Sequence, residues 1–394
     1  MLVLAGGASS GAATTTVVTL TFDNNTISQF TLGYTQALQP HGVPATFYVN
    51  SGTIGGSKNF LSWAQLATLA AAGNEIGGKT VDGKVNLKTT TDLQTKINEV
   101  CNDRQALIQH GFSPTSFAYP FGAFDATAEG IVHNCGYGNA RAAGGISPTG
   151  ALYAETRPPK DYYATRPYGP SGQVTLANLE AVVNGAAAHT GGWDQVVIQK
   201  VCSQAQDPTN YSTCTASSGW VELADLNSFL DWIQAAGQAN GAPAGTTIQT
   251  TAAVMQSMDT VVPSTTIACN GAPCASSTYN GTVMVSFAPT DTGSGVASTH
   301  YTLDGTDPTP SSPTYTGPFP LTSSSTVKFR SWDYAGNVEA TNTQSVQLVE
   351  SPDSTAPTTT ISCNGSPCQT MKARFGNENA QAAFIEGAPL PGTS

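Results

Sequence analysis

At 394 residues, 39% of them hydrophobic, the chain is long enough for two or three domains and a sizeable core. Its formal net charge of −11 excludes nucleic acid as a partner, because phosphate binding needs clustered Lys and Arg. Only 10% of residues are charged and 40 are glycine, so the surface is polar without being ionic, which suits neutral sugars.

The first stretch, MLVLAGGASSGAATTT, reads as the tail of a secretion signal, with residues 1–14 a residual leader or disordered. No later stretch is long enough to span a bilayer, so no transmembrane segment is expected. VVTLTFDNNT, residues 17–26, reads as a buried strand with polar residues at its carboxyl end. A helix over residues 32–38 stops near Pro40 and Gly42, and ATFYVN, residues 45–50, is the next strand. Ser62 and Gln65 have the spacing of a capping box, opening a helix that ends at Gly73.

EIGGKTVDG, residues 75–83, repeats the pattern of an apolar strand that releases polar residues. Thr91 with Gln94 reads as a second capping pattern, followed by a helical core stripe of Leu93, Ile97, Val100, Arg104, Leu107 and Ile108. SFAYPFG, residues 116–122, is a strand and turn, followed by a helix through Ile131 and the strand YGNARAAG. DQVVIQKVC, residues 194–202, is apolar again, a helix runs from Leu223 through Ile233 to Gly237, and GTTIQTTAAV reads as a last strand. Strands alternating with helices predict a parallel sheet, in which the carboxyl ends of strands form the binding face. Asp23, Asn24, Lys79 and Asp82 are therefore expected to line one cleft.

From about Asp259 the texture changes to short β-rich runs between Gly, Pro and Ser. DTVVPSTTIACNGAPC recurs from Asp353 as DSTAPTTTISCNGSPC, and the match is lost after Cys368. This places one β-sandwich over residues 259–350 and a truncated second repeat with a tail over 353–394. The eight cysteines form an even set without zinc-ribbon spacing, which points to disulfides outside the cytosol. The expected pairs are Cys269 with Cys274, Cys363 with Cys368 and Cys202 with Cys214, leaving Cys101 for Cys135.

The two strand ends resemble the polysaccharide deacetylase (NodB-homology) family, whose first motif is Thr-Phe-Asp-Asp-Gly and whose second is His-Thr-x-x-His. Thr21, Phe22 and Asp23 match the first, and Thr80 matches the second. The resemblance implies an α/β fold, a distorted (β/α) barrel over residues 15–255, with Asp23 at the position of the catalytic base. It also implies a divalent metal on the second aspartate and both histidines, where this chain has Asn24, Lys79 and Gly83. In the third motif an arginine orients the base; here Ala118-Tyr119-Pro120-Phe121-Gly122 keeps the turn without it. The last motif ends in a histidine that protonates the leaving amine, and Gln199 stands there.

A protonated lysine has no lone pair, glycine has no side chain and asparagine is a weak neutral donor, so no metal cofactor is expected. The five histidines offer no replacement pair at HxxxH spacing. Lys79 is expected to stand in the metal's place and neutralise Asp23; a solvated loop lysine and a nucleophile are the alternatives. Tyr119, Phe121, Trp193, Tyr162, Tyr163 and Tyr168 are candidate sugar contacts, joined by Asn24 and Asp82 as polar ones.

HYTLDGTDPTPSSPTYTGPFPL and WDYAGN resemble the all-β, immunoglobulin-like C-terminal module of chitobiase and hexosaminidase-type proteins. The reading is a secreted monomer, extracellular or at the cell surface, whose barrel engages a polysaccharide, chitin-like, peptidoglycan or xylan, without metal-dependent deacetylation. Two rival expectations are an active deacetylase using zinc or another divalent metal at an altered site around Asp23, Asp82 and Lys79, and an adhesive or structural surface protein.

Overall fold

The structure is a computed structural model that describes residues 15–189 and 191–349, with backbone alone at 362–363 and 366–367. The expected leader and tail, and the Cys363–Cys368 pair, lie outside the described residues. The chain divides into two units, Met1–Val349 and Glu350–Ser394. In the second, Ser362–Cys363 pairs antiparallel with Ser366–Pro367.

The first unit begins with the strands β1 (Thr16–Asp23), β2 (Thr46–Val49), β3 (Glu75–Gly78), β4 (Ser116–Ala118) and β5 (Asn139–Arg141). There follow β6 (Gln173–Val174), β7 (Gly192–Ile198), β8 (Lys200–Cys202), β9 (Trp220–Glu222) and β10 (Thr247–Ile248). Seven of these form one parallel sheet in the order β10-β1-β2-β3-β4-β5, with β7 on the other side of β1. All eight residues of β1 are buried, because a parallel strand covered on both faces has no solvent side to alternate with. A separate small parallel sheet has the order β6-β9-β8. The distorted (β/α) barrel expected from the sequence is present, with β1 at its centre.

Helices cover the sheet. Gln29–Leu38, wound as a π-helix, continues through Gln39–His41 and ends on Gly42 at φ 62°. Pro40 falls in that last turn, next to the helix end. Trp63–Ala71 opens on the expected capping box, with Ser62 accepting from Gln65 N and Gln65 accepting from Ser62 N. The next helix, Leu93–Gln109, is capped by Asp92 and not by Thr91, since the carboxylate reaches the amides of both Gln94 and Thr95. Its buried face is Lys96, Val100, Asp103 and Leu107, while Leu93 and Ile108 of the expected stripe are exposed. Polar Asp103 displaces an apolar stripe there because it has a job under the cleft.

The second layer of the same unit is all-β. One sheet has the order β12-β11-β14-β16 and another β15-β17-β18, the strands being β11 (Ser264–Cys269), β12 (Ala272–Pro273), β14 (Val283–Thr290), β15 (Val296–Thr302), β16 (Phe319–Leu321), β17 (Ser325–Asp333) and β18 (Asn342–Val346). A parallel pair, β13 (Tyr279–Asn280) with β19 (Leu348–Val349), closes one side. Alternating burial along β14 and β17 aims Val283, Val285, Phe287, Val327 and Phe329 into one core, the pattern of an immunoglobulin-like sandwich. Three of the expected disulfides are formed, Cys101–Cys135, Cys202–Cys214 and Cys269–Cys274. Among the described residues no helix is long and apolar enough to cross a membrane.

Candidate functional site

A cleft of about 450 Å³ opens at the carboxyl ends of β1, β3 and β7, lined by Asp23, Asn24, Lys79, Gly83, Tyr119, Phe121 and Gln199 together with the loops at 169–171 and 218–219. A larger groove of about 900 Å³ lies at the amino ends of β1 and β7. Its carboxylate Glu155 is already held by Arg166, and ligands of parallel sheets bind at carboxyl ends, so the smaller cleft is the candidate site.

Asp23 ends β1 and is 4% exposed. Its Oδ2 accepts from Lys79 Nζ at 2.7 Å, the ion pair expected from the sequence. Its Oδ1 accepts from Arg141 Nη2, so both carboxylate oxygens carry a cation. Burial lowers the Lys79 ammonium from its ordinary value; Asp23 pulls it back up and Arg141 pushes it further down. Two cations against one carboxylate leave the cluster with a net positive charge.

Arg141 was not foreseen. The arginine missing at Ala118 is replaced in space, because β4 and β5 pair in parallel register with Ala118 beside Arg141. The guanidinium is 1% exposed, donates to Ala142 O at 2.8 Å and lies 4.6 Å from the Tyr48 ring centroid. The available signal was a single arginine inside the small-residue strand NARAA, at a strand end where a charged side chain needs a partner.

A second set of buried groups holds the loop that carries Lys79. Asp103 accepts from Lys79 N at 3.1 Å, Ser51 N at 3.0 Å and Tyr137 Oη at 3.1 Å. Burial pushes its carboxyl up to about 6 against those hydrogen bonds. Asn50 donates to the carbonyls of Lys79 and Thr80, and its own amide is received by Asn25 Oδ1. Backbone strain concentrates here: Asn24 (φ 70°), Asn25 (φ 39°), Thr80 (φ 75°) and Phe121 (φ 59°) are left-handed, four of the six such non-glycine residues described. For a β-branched residue such as Thr80 this is an outlier of the kind found where surrounding bonds over-determine a site. A Cβ on Gly83, itself at φ 71°, would lie 2.7 Å from Asn50 Nδ2.

The other candidates divide. Gln199 and Asn24 line the cleft and face one another, 3.5 Å between Asn24 Nδ2 and Gln199 Oε1. Tyr119 is 1% exposed with a buried hydroxyl that has no partner, and Phe121 is 66% exposed at the rim. Asp82 is not among the lining residues; its carboxylate turns back to the amide of Lys84. Trp193 is fully buried near the amino end of β7, its Nε1 donating to Thr19 Oγ1 at 2.9 Å, because it lies at the start of the strand and not at its end. Tyr162 packs with that same cluster, Tyr168 belongs to the barrel core, and Tyr163 donates to Tyr137 O. None of the five histidines lines the cleft. His110 stacks on Trp63, His189 on Tyr153, His133 lies edge-on to Tyr163, His41 reaches Asp231 and His300 is in the sandwich.

Residues 10–140 match the family model for polysaccharide deacetylase, and residues 274–343 match that for the chitobiase/beta-hexosaminidase C-terminal domain. A search of curated proteins found no match. Among solved structures the chain is similar to the deacetylase PplD of Streptococcus pyogenes in complex with acetate, at 23% identity over 33% of this chain and 57% of that one, TM-score 0.31. It is also similar to T48 deacetylase with substrate, at 17% identity over 63% of this chain and 94% of that one, TM-score 0.39. A family 4 carbohydrate esterase from Streptomyces lividans in complex with acetate matches at 16% identity over 55% and 86%, TM-score 0.33. The chain spans little more than half of the length of PplD, 57%.

Proposed function

We propose that the barrel holds a polysaccharide, extracellular or of the cell wall, in the cleft at the end of β1, and that it does so without metal-dependent deacetylation. The observation that carries this reading is Lys79 Nζ at 2.7 Å from Asp23 Oδ2, with Arg141 on the other oxygen.

A metal in such a site would polarise an acyl carbonyl and acidify a bound water. The residues present do not fit one. Lys79 is an ammonium without a lone pair, Gly83 has no side chain, Asn24 is neutral and no histidine reaches the cleft. Asp23 already has a cation on each oxygen, so neither is free to hold a water or a metal.

Sugar binding needs much less than catalysis. The C–H faces of a pyranose stack on aromatic rings, and Phe121 offers an exposed ring at the rim. Inside, Gln199 and the serines at 171 and 218 offer polar groups to sugar hydroxyls. Three disulfides suit an oxidising compartment, which supports a secreted protein acting outside the cell.

Affinity electrophoresis and calorimetry with acetylated chitooligosaccharides, acetylated xylan and peptidoglycan fragments test the reading. One of these should bind the full chain, and Phe121→Ala should weaken it by about three- to tenfold, the worth of one aromatic contact. If no glycan binds, or if Phe121→Ala binds as well as the parent, the cleft is not a glycan site.

A further inference from the structure

Three carboxylates meet where the sandwich joins the barrel, far along the chain from the cleft residues. Asp259 lies in the linker after the last barrel helix, Thr251–Gln256; Asp291 follows β14; Asp333 ends β17. They are 6%, 6% and 3% exposed, and one oxygen from each lies within 4.8 Å of the others. Two oxygens bound to one calcium at 2.3–2.6 Å can be at most about 5 Å apart, so the spacing fits a single ion. Among the described residues no lysine, arginine or histidine pairs with any of the three.

Most of the oxygens in the group are already fixed by amides. Asp259 accepts from Val261 N and Ser294 N, Asp333 from the amide and side chain of Asn337, and Asp291 Oδ1 from Gly293 N and Gly295 N. Asp291 Oδ2 is different: it is buried and has no hydrogen-bond partner. A buried carboxylate oxygen without a donor is costly unless a cation or water takes it. The backbone also makes room, since a Cβ at Gly293 would lie 2.1 Å from Asp259 Oδ1.

We infer that Asp259, Asp291 and Asp333 bind one divalent cation of the calcium type. The donor set is oxygen only, with no cysteine or histidine, which selects a hard cation over zinc. Its place gives it a structural role. The loop after Asp291 and the residue after Asp333 are the ones that touch the barrel: a Cβ on Gly138 would lie 2.0 Å from Ser294 O, and Arg104 Nη2 donates to Tyr334 Oη at 2.9 Å. An ion joining the linker to these two loops fixes the sandwich on the barrel.

The test uses the full chain stripped with EDTA and titrated with calcium by calorimetry, and with terbium by luminescence, where Trp332 and Tyr334 beside Asp333 serve as donors. One ion per chain should bind, and at a hundredfold excess over Kd the thermal midpoint should rise by about 5 °C. Asp291→Asn and Asp333→Asn should each lose at least about tenfold in affinity with unchanged circular dichroism. Absence of binding by the parent chain overturns the inference whatever the variants do. Binding that survives Asp291→Asn undiminished overturns it as well, because the ion then sits elsewhere.

Discussion

Asp23 is held from both sides, by Lys79 at Oδ2 and by Arg141 at Oδ1, inside a strand end that water barely reaches. Removing the carboxylate while keeping the cations leaves uncompensated buried charge, so Asp23→Asn is expected to cost about 3–5 kcal/mol in urea denaturation. Adding Lys79→Met should recover part of that loss, because an apolar replacement removes one unpaired charge; a double variant no more stable than the single one would show that the ammonium escapes to solvent. Gly83 sets a limit on any attempt to rebuild histidine ligands. Gly83→His combines a left-handed backbone at φ 71° with a Cβ 2.7 Å from Asn50 Nδ2, and should destabilise by about 1–3 kcal/mol. Asp23, Asn24, Lys79 and Gln199 were legible in the sequence because strand ends carry them to one face. Arg141 was not, since its partner is 118 residues away and only the β4–β5 register brings it to Asp23.

At the scale of the element, β7 lies along the whole of β1 and contains Asp194, fully buried and with both carboxylate oxygens unpartnered. Burial pushes its carboxyl up to about 8 from 3.8. The folded state therefore keeps a proton that the unfolded chain releases above 3.8, and stability falls as the pH rises through that window. Asp103, pushed up to about 6, acts with the same sign over the lower part of it. Denaturant midpoints measured from pH 4 to 8 should decline, and Asp194→Asn should flatten the decline by up to about 1.4 kcal/mol per pH unit. An unchanged slope in Asp194→Asn would mean that water reaches the carboxylate. Period and turn chemistry made the barrel readable: Ser62 caps its helix as expected, but of the last strand expected over residues 245–254 only Thr247–Ile248 pairs with β1, and Thr251–Gln256 is a helix capped by Thr250. Two of the misses concern the cleft. Trp193 lies at the start of β7, away from its carboxyl end, and the Asp82 carboxylate turns back within its own loop to Lys84 N, so neither lines the cleft.

At the scale of the whole molecule, a barrel and a sandwich share one compact unit, and the sequence texture change at Asp259 marks their junction. The repeat made the sandwich recognisable, whereas the meeting of Asp259, Asp291 and Asp333 depends on loops folding back across the linker and has no local pattern. The cleft and this junction are separate features, and loss of one leaves the other testable. The barrel's cation-filled cleft is probed most directly by incubating purified full-length protein with acetylated chitooligosaccharide and acetylated xylan, with and without added zinc or cobalt, while assaying acetate and bound metal together. With Lys79 and Arg141 on Asp23, acetate should stay at the blank and zinc well below one per chain. Acetate release that rises with near-stoichiometric zinc would contradict a cleft closed to metal by Lys79.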